Sequence, residues 1–178
     1  VKDKGLPRAC KGWRFLVESI ALPLTNGPDL SLNDREEKTI KKGNRMNKPW
    51  DYLIKEAAKA RENAYAPYSH FKVGAAVEGE SGKIYTGCNV ENASYGLSMC
   101  AERTAICNAI SQGEKVIKAI AIVTSTTPLT PPCGACRQFI QEFGQDAVIV
   151  LANQKGEQKV FTQGNLLPSP FDGSSLRR

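Results

Sequence analysis

Three thiols place the tightest constraint on how this chain folds. Cys100 opens the stretch Cys100-Ala101-Glu102-Arg103, and Cys133 and Cys136 lie in Pro132-Cys133-Gly134-Ala135-Cys136. A helix-length and a strand-length stretch separate the two groups. Within the pair, one helical turn brings both sulfurs to the same partner. Cys100 must arrive from another element, so a site using all three would staple two elements together. Both groups fall where a strand or loop enters a helix, and helix N-termini favour thiolates.

Three thiolates and a nearby acid read as metal chemistry. Three protein ligands leave the fourth position of a tetrahedral zinc open, which a catalytic site needs and a structural site does not. The open position takes a water whose pKa falls to about 7. Glu102 follows Cys100 on the first helical turn, close to the metal and unbound to it, where a carboxyl can carry protons. Three thiolates and Zn²⁺ sum to −1, which weakens the metal as a Lewis acid. Arg103 and Arg137, each just after a ligand, are expected to donate to thiolate sulfur and offset that charge. A redox pair is the plainer reading of a lone Cys-x-x-Cys. A structural four-thiol zinc would need Cys88 or Cys107, but these read as core residues at a strand end and in mid-helix. His70, the only histidine, has no acid or thiol at ligand spacing and reads as a surface or structural residue.

Length and charge narrow the class. A chain of 178 residues suits one compact core. The net charge of +6 is uneven: residues 1–45 hold 10 Lys+Arg against 6 Asp+Glu, and residues 46–178 hold 14 against 12. The second part is near neutral and lacks the basic stripe of a nucleic-acid binder. No stretch approaches the ~18 apolar residues of a membrane span. The apolar run from Phe15 to Leu24 is broken by Glu18 and Pro23 and lacks a cleavage site. A cytoplasmic setting with reduced thiols is the expectation. Residues 1–45 mix polar, Gly and Pro residues without periodicity. They read as a disordered or non-native N-terminal extension, with a basic regulatory arm as the competing reading. The domain proper then spans 46–178.

Periodicity orders the elements. Spacing of three and four predicts a helix from Trp50 to about Tyr65, stopped by Pro67. Strands are expected at Phe71–Val77 and Lys83–Cys88, turning at Glu80-Ser81-Gly82. A second helix is expected from Leu97 or Ser98 to about Ser111, and a buried strand at Val116–Thr124. A third helix runs from Cys133 to Phe143. Strands at Ala147–Ala152 and Gln158–Thr162 follow, with a short turn opened by Thr162 or Asn165 and an irregular tail. The order predicts an α/β fold: a three-layer α/β/α sandwich on a five-stranded mixed sheet, with parallel neighbours across the crossovers and antiparallel edges.

Four blocks together resemble the small cytidine deaminases. They are Ala66-Pro67-Tyr68-Ser69-His70-Phe71-Lys72-Val73-Gly74-Ala75-Ala76, Gly87-Cys88-Asn89-Val90-Glu91-Asn92-Ala93-Ser94-Tyr95, Cys100-Ala101-Glu102-Arg103-Thr104-Ala105 and Pro132-Cys133-Gly134-Ala135-Cys136-Arg137-Gln138. A weaker fifth is Leu166-Leu167-Pro168-Ser169-Pro170-Phe171. The resemblance covers about residues 46–172. It implies one zinc per subunit on Cys100, Cys133 and Cys136. Glu102 would move a proton from the water to the pyrimidine ring, hydroxide would attack C4, and ammonia would leave. Asn89 and Glu91 would bind the ribose hydroxyls, Phe71 would pack on the base, and Ala101 would also contact substrate. The resemblance further implies a homotetramer whose sites are shared, with Tyr95 and Phe171 reaching across subunits. The implied activity is hydrolytic deamination of cytidine and 2′-deoxycytidine in pyrimidine salvage.

Three rivals are weighed against it. A deaminase of another aminopyrimidine nucleoside, such as a blasticidin-type antibiotic, is disfavoured by the Asn89 and Glu91 pair, which suits a free ribose. A polynucleotide-editing enzyme would want a basic groove. A non-catalytic structural zinc module would want a fourth ligand where Glu102 stands.

Overall fold

Four α-helices and five strands follow one another among the described residues, 49–176, of the computed structural model. They are α1 (Asp51–Glu62), β1 (Gly74–Gly79), β2 (Ile84–Cys88), α2 (Ala101–Ser111), β3 (Ile117–Thr124), α3 (Gly134–Phe143), β4 (Val148–Asn153), β5 (Gln158–Thr162) and the short α4 (Gln163–Leu166). The expectation of an extension over 1–45 lies outside the described residues.

The strands form one mixed sheet in the order β2-β1-β3-β4-β5. Alternating side chains decide its layers. Ala75 and Val77, Ile120 and Ile122, and Ile149 and Leu151 face α2 and α3. Ala76, Ala119, Ala121, Val123, Val150 and Ala152 face α1. Three layers result, as expected. The α1 side is lined mainly by alanine and valine, which lets the helix sit low. Gly74 marks the closest approach: a Cβ there would lie 2.0 Å from the Ala57 carbonyl oxygen. Each fully buried isoleucine of the other layer contributes ~1.5–3 kcal/mol.

The expected parallel neighbours occur at β3 and β4. The other crossover, β2-α2-β3, passes over β1, which lies antiparallel to both strands. The hairpin enters with β1 inward because Gly74–Val77 is buried throughout, whereas β2 alternates and exposes Ile84. Gly74 pairs with both Cys88 and Val123. The start of β1, the end of β2 and the end of β3 therefore meet at one end of the sheet, where ligands of α/β sheets bind.

Several boundaries differ from the periodicity, each because tertiary bonds take the backbone. The first helix ends at Glu62, short of Pro67. Tyr65 instead donates its N–H to Asn89 O at 3.0 Å and accepts from Glu91 N at 2.8 Å. Phe71 to Val73 stay outside β1, bonded to the Asn89 side chain. Helix α2 starts at Ala101 rather than Leu97 or Ser98, because Val90 and Met99 exchange backbone bonds at 2.9 Å and hold the chain extended up to Cys100. Of the two residues expected to open the last short turn, Thr162 is the N-cap of α4, and Asn165 closes a capping box with it. No helix among the described residues is long and apolar enough to cross a membrane.

Candidate metal centre and nucleoside pocket

Cys100 and Cys133 are the N-cap residues of α2 and α3, both in extended backbone conformation. Their extended backbone turns the chain into each helix, so the two helix starts converge on one point. Gly87 sets the height of α2 on β2, since a Cβ there would lie 2.3 Å from Ala105 N and 2.8 Å from Ala101 O. The three sulfurs of Cys100, Cys133 and Cys136 lie within 4.8 Å of one another. Tetrahedral thiolates at zinc distance stand about 3.8 Å apart, so the trio needs little movement to hold one ion.

Arg103 completes the cluster. Its Nη2 donates to Cys100 Sγ at 3.6 Å and to the Ser98 carbonyl at 3.1 Å. The Cys136 thiol, donating to Cys100, and then the Arg103 guanidinium pull Cys100 down to about 5. Cys136 is pushed up, first by that same bond and then by burial. A metal that took all three would require all three to ionise. Arg137 behaves otherwise than expected. Its Nε donates to Pro132 O at 2.9 Å and its Nη1 to Leu166 O at 3.0 Å, so these bonds go to backbone and not to sulfur.

A cavity of about 230 Å³ opens above the cluster. Cys100, Cys133, Ala101 and Glu102 line it together with Phe71, Asn89 and Glu91. Glu102 is 5% exposed, and burial raises the pKa of its carboxyl. A carboxyl whose proton affinity is raised beside a thiol cluster is a candidate proton carrier.

Asn89 and Glu91 are already engaged with the segment that carries Phe71. Asn89 Oδ1 accepts from Val73 N and its Nδ2 donates to Phe71 O, each at 2.8 Å. The amide keeps one N–H and one lone pair for a ligand. Glu91 accepts from Tyr68 N at 2.9 Å, from Ser69 N at 3.2 Å and from the Ser69 hydroxyl. The Ser69 hydroxyl first, and then the two backbone N–H groups, hold its carboxyl below the usual carboxylate range.

Tyr95 and Phe171 are outside the cavity. They are 74% and 60% exposed, and Tyr95 meets Tyr68 edge-on at 5.8 Å between ring centres. Periodicity missed Thr124, Thr130 and Pro131, which also line the cavity. The hydroxyls of Thr124, Thr126 and Thr130 form a chain at 3.0 and 2.6 Å that shapes this loop. The available signal was position: the Thr/Pro stretch joins a central strand to Cys133. Cys107 is exposed on α2 and no part of the cluster, and His70 is exposed with φ 55°.

Residues 48–152 match the family described as the cytidine and deoxycytidylate deaminase zinc-binding region. The chain belongs to this family. It is 49% identical over 125 residues to a cytidine deaminase of Sporosarcina psychrophila, covering 70% of this chain and 92% of that one. A cytidine deaminase of Halalkalibacterium halodurans is 48% identical over 125 residues, 70% of this chain and 95% of its own. Among solved structures, the cytidine deaminase from Burkholderia pseudomallei is 51% identical with a TM-score of 0.66, covering 67% of this chain and 97% of its own. The expected three-layer fold and the zinc assignment agree with these relatives and with the thiol cluster.

Proposed function

We propose that this chain hydrolyses cytidine and 2′-deoxycytidine to uridine and 2′-deoxyuridine with release of ammonia, in pyrimidine salvage. One observation carries the reading: a buried acid, Glu102, shares a cavity with two of three clustered thiols and with the amide and carboxylate of Asn89 and Glu91. Zinc held by Cys100, Cys133 and Cys136 would supply a Lewis acid that makes water a nucleophile near neutral pH.

The side chains then divide the remaining work. Glu102 accepts the proton of the attacking water. Attack at C4 pushes electrons onto the adjacent ring nitrogen, and Glu102 returns a proton there. The proton of the new C4 hydroxyl then passes through Glu102 to the amino group, the C4–N bond breaks to release ammonia, and the C4 carbonyl forms. The N–H groups in the first turn of α2 have no partner within the helix, so Ala101 can hydrogen-bond the base. Phe71 walls the ring, and the spare N–H and lone pair of Asn89 meet a sugar hydroxyl beside ionised Glu91. That pair supports a free ribose over the blasticidin-type and polynucleotide readings.

Assembly as a homotetramer follows the same reading, with exposed Tyr95 and Phe171 closing a neighbour's pocket. Thiols that must stay reduced to bind metal support a cytoplasmic setting. Residues 46–178 are taken as the catalytic unit, so deleting 1–45 should leave turnover and assembly intact.

Purified protein should consume cytidine and deoxycytidine but not a single-stranded oligonucleotide. Glu102→Gln should retain zinc and nucleoside while turnover falls at least ~100-fold. Absence of zinc-dependent cytidine loss would refute the assignment.

A further inference from the structure

Helix α3 does two jobs on successive residues. Cys133 and Cys136 belong to the thiol cluster, and Arg137 and Gln138 hold the C-terminal segment. Arg137 spans both. Its Nε donates to the carbonyl of buried Pro132, just before Cys133, and its Nη1 donates to Leu166 O in α4. Its backbone N–H donates to Cys133 O at 3.0 Å. The peptide units on both sides of Cys133 are thus tied to one residue. Cys133 itself is exposed at the end of an irregular Thr/Pro stretch.

The C-terminal segment returns the contact. Gln163 is fully buried, and its Nε2 donates to Arg137 O at 2.7 Å. Its Oε1 has no partner among the described residues, and the bond to Arg137 O helps offset burying the amide. Gln138 Nε2 donates to Phe171 O at 2.7 Å.

We infer that Arg137 is a positioning residue for the metal-ligating loop, and that the segment beginning at Gln163 braces it, so that metal retention depends on the C-terminal part of the chain. Arg137 acts here through its forked donors on two carbonyls and not through its charge on sulfur. A lysine retains the charge but cannot reproduce the fork. The inference rests on the zinc reading given above.

The test uses the full-length zinc-loaded protein and follows zinc release to a chromophoric chelator. Arg137→Lys and Arg137→Met should both release zinc about 10-fold faster, the usual effect of losing an outer-shell support. Gln163→Met, which keeps the volume and removes the donor, should accelerate release in the same direction. Tyr52→Phe, remote from the cluster, should leave the rate unchanged. Release from Arg137→Lys at the wild-type rate, with Arg137→Met fast, would show a charge effect and overturn the inference. Wild-type release from Gln163→Met would overturn the brace. A wild-type protein carrying no zinc would overturn the metal site itself, which separates the two failures.

Discussion

Asn89 donates from Nδ2 to the carbonyl oxygen of Phe71 at 2.8 Å, while its Oδ1 accepts from Val73 N at the same distance. One side chain thereby extends the backbone pairing that Asn89 N makes to Val73 O at 3.2 Å. It couples the proposed sugar contact to the proposed base wall before any ligand arrives. Preorganisation of this kind lowers the ordering cost of binding.

Asn89→Ala should therefore damage both stability and affinity. It leaves the Phe71 carbonyl and the Val73 N–H without partners in a half-buried site, at a cost of about 1–3 kcal/mol. Denaturant titration reads the stability loss, and steady-state kinetics should show KM raised along with it. Unchanged stability would mean that water replaces both bonds.

Ser69 should control the ionisation of Glu91. The Ser69 hydroxyl is the main cause of the lowered Glu91 pKa. A depressed folded-state value contributes stability that is present above the ordinary carboxylate range and lost as pH falls through the depressed value. Ser69→Ala should raise the Glu91 pKa and move that loss to higher pH. Carboxyl NMR titration of both proteins checks it; identical Glu91 titrations would contradict the assignment.

Metal removal should change thiol reactivity in a countable way. Chelation should abolish deamination and expose Cys100, Cys133 and Cys136, the three clustered thiols, to a thiol reagent. Adding zinc back should restore both turnover and protection. Protection that survives complete metal removal would point to packing rather than ligation.

Gly87→Ala should be among the most disruptive single-methyl changes. The added carbon would meet backbone atoms of α2 at 2.3 and 2.8 Å, and backbone cannot swing aside as a side chain can. Overpacking of this kind costs about 1–3 kcal/mol. Because α2 carries Cys100 and Glu102, turnover should fall further than stability alone explains. A melting temperature and rate equal to wild type would show that the two elements separate freely.

The order of elements, the apolar strands, the spacing of the clustered thiols and the acid beside Cys100 were legible in the sequence because they are local. Alternation and helical spacing act within a few residues, and the span between Cys133 and Cys136 is one turn. The bounds of Gln158–Thr162 were readable to the residue for the same reason, whereas the sequence left Thr162 and Asn165 as alternatives for opening the turn that follows. What only the tertiary structure decided involves bonds between distant segments. Tyr65 left its helix to pair with the Asn89–Glu91 stretch, and the Val90–Met99 exchange delayed α2 until Cys100 became its N-cap. Arg137 sits beside Cys136 in sequence, yet its guanidinium turns to Pro132 and Leu166. Its position names a neighbour of the metal site, but unpaired carbonyls that the fold brings near decide where its donors go.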